Sequence, residues 1–131
     1  MDPMAKALSE AKVIAVVGLS NNRARPAYGV ARYLQSQGYK IIPVNPRETE
    51  VLGEKAYPNL DAVPEPIDIV DIFRNPEFVP EIVEAAIRKH AKVVWMQPGA
   101  ENWDAADRAQ EAGLDTIVGM CIRTEHVMAN S

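Results

Sequence analysis

The chain has one cysteine, Cys121, so no internal disulfide can form and stability must come from a buried core. That usage fits a reducing compartment, and a cytoplasmic location is expected. No apolar run approaches the roughly 20 residues a membrane helix requires. Met1 to Lys12 lacks the apolar stretch of a signal peptide and reads as an N-terminal segment forming a short helix. Basic residues are few and scattered, 14 against 18 acidic ones, for a net charge of −4. A nucleic-acid surface would need a basic stripe, so that partner is excluded, while one phosphorylated small molecule is not. With two histidines and one cysteine there is no dense ligand cluster, and no metal site is expected. No convincing acid–base set stands out, so no catalytic residue is assigned and a non-enzyme is favoured.

What the 131 residues do contain is an alternation of strand and helix signals, in one domain over 13–131. Val13 to Val17 is a short apolar run ending at Gly18, as expected of a parallel strand buried on both faces. Pro26 opens a helix and Gly38 stops it. Lys40 to Val44 is a second strand. The segment from Glu48 to Pro66 is broken by Gly53, Pro58, Pro64 and Pro66, with room for a short strand and a helical turn near Asn59 to Val63. Asp68 to Phe73 is the third strand. Val79, Ile82, Val83, Ala86 and Ile87 then form the stripe of an amphipathic helix. Ala91 to Met96 is a strand, Asn102 caps a helix to Ala112, and Asp115 to Val118 is the last strand. The pattern predicts an α/β, doubly wound, Rossmann-like domain. Its five-stranded parallel sheet has the order 3-2-1-4-5 and helices on both faces.

In such sheets ligands lie beyond the carboxyl ends of the strands. Gly18 allows a tight turn after the first strand, Ser20 offers a hydroxyl, and Arg25 a cation just before the helix beginning at Pro26. That combination suits a phosphate at a helix N-terminus. The loop lacks the second glycine of the dinucleotide fingerprint, because Ser20 stands there. After the second strand come Asn45, Pro46 and Arg47, rather than the acid that receives a plain ribose diol. An amide beside a cation suits a phosphorylated ribose, whether the 3′-phosphate of coenzyme A or the 2′-phosphate of NADP. Phe73 is placed to wall an adenine and Arg74 to reach a phosphate. Gln97 and Gly99 end the fourth strand, with a side-chain amide and a close-approaching backbone. Asp71 is expected to organise a loop as an acceptor, and Trp95 and Trp103 to serve packing. Cys121, with Glu125 and His126 nearby, leaves open a thiol-based reaction.

Taken together the loops resemble the stand-alone CoA-binding protein family, whose domain is similar to the N-terminal half of the succinyl-CoA synthetase alpha subunit. The resemblance is carried by Val16-Val17-Gly18-Leu19-Ser20, Arg25-Pro26-Ala27-Tyr28, Ile42-Pro43-Val44-Asn45-Pro46, Ile69-Val70-Asp71-Ile72-Phe73-Arg74, Trp95-Met96-Gln97-Pro98-Gly99 and the closing Cys121 to His126. It implies coenzyme A lying across the switch point. Gly18, Leu19, Ser20 and Arg25 would hold phosphates. Asn45, Pro46 and Arg47 would face the adenosine, flanked by Phe73 and Arg74. The implied function is binding of CoA or an acyl-CoA by a non-catalytic sensor, carrier or subunit, with oligomerisation open. The alternatives are an NADP-dependent oxidoreductase and a small enzyme using Cys121 on the CoA thiol.

Overall fold

A computed structural model describes residues 2–131. Helix α1 (Pro3–Glu10) begins where Asp2 caps the Ala5 N–H at 2.9 Å. The β-branched run Val13–Val17 forms β1, followed by α2 (Pro26–Ser36) and β2 (Lys40–Val44). A two-residue hairpin, β3 (Glu50–Val51) and β4 (Glu54–Lys55), and a 3-10 turn at Leu60–Ala62 fill the proline-rich segment. Then come β5 (Ile69–Ile72), a 3-10 turn at Pro76–Phe78, α3 (Val79–Arg88), β6 (Val93–Met96), α4 (Trp103–Glu111), β7 (Asp115–Val118) and α5 (Ile122–Ala129).

The main sheet is wholly parallel in the order β2-β1-β5-β6-β7. Tyr57 makes an isolated parallel bridge to Val44 outside β2, exchanging backbone bonds with Pro43 and Asn45 at 3.0 and 2.8 Å. Counting that bridge as the third strand in chain order recovers the doubly wound 3-2-1-4-5 pattern, with β7 added at the far edge. One assignment changes. The segment around Asp68 to Phe73 takes fourth place, inside the sheet beside β1, because the broken stretch before it supplies the outer pairing. An apolar strand belongs in the interior, and a strand of one bridge is tolerable only at an edge.

The pleat sends alternate side chains to opposite faces. Ala15, Val17, Ile42, Val44, Val70, Ile72, Val94 and Met96 pack beneath α3 and α4. Ile14, Val16, Ile41, Ile69, Val93, Trp95 and Ile117 pack beneath α1, α2 and α5. Each fully buried Ile, Val or Leu contributes about 1.5–3 kcal/mol of transfer free energy, which is why no cross-link is needed. At the amino end, Asp68 accepts from the Lys12 and Val13 N–H groups at 2.8 and 2.9 Å and pairs with Lys92 at 3.5 Å. Burial pushes this carboxyl's pKa up, but the two backbone donors and Lys92 outweigh it and hold it below the usual value. On the α1 side, Tyr33 meets His126 Nδ1 at 2.7 Å, and Tyr39 packs edge-on to the same ring while donating to the Leu8 carbonyl. This cluster ties α5 to α2 and α1.

Two expectations about packing divide. Trp95 is fully buried, its indole N–H donating to the Met120 carbonyl at 2.7 Å. Trp103 is 67% exposed and is not a packing residue. The small side chains Ala105, Ala106 and Ala109 make the buried face of α4, so its first residue is turned to solvent.

Candidate functional site

A cleft of about 690 Å³ opens over the carboxyl ends of β1, β2, β5 and β6. Its walls include Gly18, Ser20, Arg25, Pro26, Asn45, Arg47, Phe73, Arg74 and Gly99, nine of the twelve residues singled out in the sequence. This volume is within the range of small-molecule and cofactor sites.

The floor begins at the β1–α2 turn. Gly18 takes φ +96°, and a Cβ there would stand 2.3 Å from the Phe73 carbonyl oxygen. The glycine is therefore required by the neighbouring backbone of β5, more than by room for a ligand. Gly18 N–H donates to Val44 at 2.9 Å, and Phe73 N–H donates to Val17 at 2.9 Å, so the three strand ends are locked together. Ser20 and Asn22 fold the following loop on itself. The Asn22 N–H donates to the Ser20 hydroxyl at 3.2 Å, and Asn22 Oδ1 accepts from Ala24 at 3.0 Å. Helix α2 then starts with no side-chain cap and no acidic residue in its first turn. Pro26 and Ala27 line the cleft, so the positive end of the helix is presented to it. The loop's taste for anions is visible within the chain: the Asn21 N–H donates to the Glu48 carboxylate, which reaches across from beyond β2.

Beyond β2, Asn45 is held on both sides. Its Nδ2 donates to the Leu19 carbonyl at 3.2 Å, and its Oδ1 accepts from the Arg47 N–H at 3.0 Å. That turn projects Arg47 into the cleft. On the opposite wall, Arg74 lies over the Phe78 ring at 4.3 Å, and Phe73 stands beside it. Arg25, Arg47 and Arg74 thus surround the opening, with Glu48 the one acid among its walls. Cations are concentrated here although the chain as a whole is acidic, which is what attracts and holds an anion of several phosphates.

Three of the twelve lie elsewhere. Leu19 is fully buried and its side chain belongs to the core. Pro46 is exposed on the turn behind Asn45 and is not part of the wall. Gln97 is 2% exposed, with Oε1 accepting from the Ile122 N–H at 3.1 Å, so it anchors α5. The residues that sequence reasoning missed are Asn22, Ala27, Glu48, Asn75, Phe78, Pro98 and Ala100. Phe78 had a usable signal: it lies one turn past Asn75-Pro76, close enough to stack with Arg74.

Asp71 departs from its expected role. It is fully buried at mid-strand in β5, and neither carboxylate oxygen has a hydrogen-bond partner among the described residues. It organises no loop. Burial pushes its pKa well up, and the Cys121 charge adds to that. Cys121 is half-buried at the N-terminus of α5. Burial raises its thiol pKa, but the Thr124 and Arg123 N–H groups, the Thr124 hydroxyl and the Gln97 side chain outweigh that and leave it below the ordinary value. No group of three metal-ligating side chains occurs among the described residues.

This geometry has relatives. Residues 12–127 match the family model described as the CoA binding domain. The chain belongs to that family. As a CoA-binding domain it is 40% identical over 121 residues to the uncharacterized protein YneT of Bacillus subtilis, covering 92% of this chain and 90% of that one. It is 38% identical over 128 residues to the alpha subunit of the ADP-forming acetate–CoA ligase II of Pyrococcus furiosus. That match takes in 89% of this chain but only 28% of the subunit. Among solved structures, a hypothetical protein from Pyrococcus horikoshii superimposes with TM-score 0.95 at 41% identity, over 98% of this chain and 90% of that one. The dinucleotide-forming acetyl-coenzyme A synthetase 1 of Ca. Korarchaeum cryptofilum gives 0.74 at 25% identity, over 82% of this chain and 25% of the synthetase. The five-stranded α/β fold is thus that of a recurring domain, and no helix is long and apolar enough to cross a membrane among the described residues.

Proposed function

We propose that this chain binds coenzyme A or an acyl-CoA as a stand-alone, non-catalytic module, with residues 13–131 as the binding domain behind a short N-terminal segment. The observation that carries the reading is one cleft in which a glycine turn, an uncapped helix start and three arginines converge beside an aromatic wall. The pyrophosphate would lie against the Gly18–Ser20 turn and the first turn of α2, near Arg25. Asn45 and Arg47 would take the phosphorylated ribose, and Phe73 and Arg74 would flank the adenine. The ligases that share this domain are several times longer, so the binding step is carried over and the ligation is not. A reducing cytoplasm suits the single half-buried thiol.

The test is a thermal-shift series with CoA, dephospho-CoA, NADP and NAD. A ligand at a hundred times its Kd adds about 2.7 kcal/mol to stability. CoA should give the largest rise in Tm, dephospho-CoA less because it lacks the 3′-phosphate facing Arg47, and NAD the least. No shift with millimolar CoA, or a larger one with NADP, would overturn the reading.

A further inference from the structure

Glu48 is the one acid in the walls of the cleft, yet among the described residues it pairs with none of the three arginines there. Backbone groups hold it instead. Its Oε2 accepts from the Asn21 N–H, and its own N–H donates to the Asn45 carbonyl at 3.2 Å. A second bond fastens the same two loops, since Asn21 Nδ2 donates to the Glu50 carbonyl at 2.8 Å. Past Glu50 the hairpin is anchored by Val51, buried in the core, and by Gln35 Nε2 donating to the Leu52 carbonyl at 3.0 Å. The acid therefore stands on a rigid arm, half-buried, with its other oxygen, Oε1, taken by no hydrogen bond or ion pair among the described residues. An ionised carboxylate can only accept. Beside bound phosphates it repels the ligand unless the ligand brings it a proton donor.

We propose that Glu48 selects the ribose of the ligand: Oε1 accepts from the free 2′-hydroxyl beside the 3′-phosphate assigned to Arg47, and the charge excludes a ligand phosphorylated at the 2′ position. This rests on the CoA reading above. In doubly wound sheets an acid just past the second strand accepts from the ribose hydroxyls. Asn45 stands in that place here, but the turn it closes brings a carboxylate back into the cleft three residues later. Arg47 and Glu48 are consecutive, opposite in charge, and both line the cleft. A ribose phosphorylated on one of two adjacent carbons makes the matching pair of demands: an anion that needs a cation, and next to it a neutral O–H that needs an acceptor. The acid thus weakens the hold on every polyanion somewhat. In exchange it separates two adenosines of equal charge that the arginines alone would hold alike.

The experiment uses the whole chain with adenosine 3′,5′-bisphosphate, its 2′-deoxy analogue and adenosine 2′,5′-bisphosphate. Calorimetry with each, alone and in competition with CoA, gives the affinities. In the wild-type chain, removing the 2′-hydroxyl should weaken binding about tenfold, as loss of a hydrogen bond to a charged group does. Moving the phosphate from 3′ to 2′ should weaken it further. In Glu48→Ala the hydroxyl and deoxy compounds should bind within about twofold of each other, and the preference for 3′ over 2′ should shrink about fivefold or more. Glu48→Gln keeps a group that hydrogen-bonds the hydroxyl but carries no charge, so it should retain most of the hydroxyl preference and lose the rejection of the 2′-phosphate. A general disturbance of the loop would move all three affinities together, and the Asn21–Glu50 bond that steadies it is untouched by either substitution. Three results would overturn this inference and leave CoA binding standing. They are equal binding of the hydroxyl and deoxy compounds in the wild-type chain, an undiminished hydroxyl preference in a folded Glu48→Ala variant, and CoA that adenosine 3′,5′-bisphosphate fails to displace. Failure of CoA itself to bind would instead strike the function on which it rests.

Discussion

Gly18→Ala is the substitution whose cost follows most directly from the geometry. The residue adopts φ +96°, where a Cβ costs roughly 1–2 kcal/mol. The added methyl would also stand 2.3 Å from the Phe73 carbonyl oxygen and 3.2 Å from Arg74 Cδ. The arginine can swing away, but the carbonyl belongs to backbone held by the Phe73–Val17 bond. Forcing the two apart costs about a further 1–3 kcal/mol, as over-packing usually does. The sum is about 2–5 kcal/mol. Unfolding entropy near 2.1 cal/mol/K per residue gives about 0.28 kcal/mol/K for this chain, so Tm should fall by roughly 7–18 °C. Gly38→Ala is the control. Its φ is +98°, but no atom lies within 4 Å of the added Cβ, so only the conformational cost applies. That cost, about 1–2 kcal/mol, lowers Tm by roughly 4–7 °C. Differential scanning calorimetry of both variants decides the matter. Equal losses would show that the Gly18–Phe73 contact relaxes freely, and would refute the claim that this turn is set by the neighbouring strand.

Other consequences are as specific. Arg47→Ala should weaken CoA binding about tenfold by calorimetry and leave dephospho-CoA nearly unaffected, because Arg47 is assigned to the extra phosphate. Glu48→Gln should act in the opposite sense, since it removes the acid that occupies the Asn21 N–H, and should tighten CoA binding severalfold. Asp68→Ala should cost about 1–3 kcal/mol in urea unfolding, because it takes the charged acceptor from the exposed Lys12 and half-buried Val13 N–H groups at the start of β1 and removes the Lys92 pair. His126 titrates below its ordinary value because burial disfavours its charged form. The unfolded chain therefore takes up the proton first. The stability His126 contributes is complete above about pH 6.5 and drains as pH falls toward its folded value. Tm should drop between pH 7.5 and 5.5, and His126→Gln should flatten that drop.

The sheet and its helices were legible because a parallel strand buried on both faces must be apolar throughout, and Val13–Val17, Ile69–Ile72 and Val93–Met96 are nearly so. The cleft was legible because such a sheet gathers the loops that follow its strands at one end, and Gly18, Asn45, Phe73 and Gly99 all stand just past the carboxyl ends of strands. What stayed hidden depends on contacts distant in sequence. The outer pairing of β2 rests on a single bridge at Tyr57, too little to leave a periodic signal. Glu48 enters the site through a bond to Asn21, 27 positions away. Gln97 reads as a ligand donor by its place after β6, yet the start of α5 claims it. Trp103 reads as core by its chemistry, but as the first residue of a helix whose buried face is alanine it has nothing to pack against.

The central claim is that coenzyme A lies with its phosphates against the turn between β1 and α2. A crystal structure of the chain grown with CoA tests it most directly. The account predicts pyrophosphate density within hydrogen-bond distance of the Gly18–Ser20 turn or the first amides of α2, with the adenosine between Arg47 and Phe73. Clear density for CoA at any other face of the sheet, with this cleft filled only by water, would contradict it.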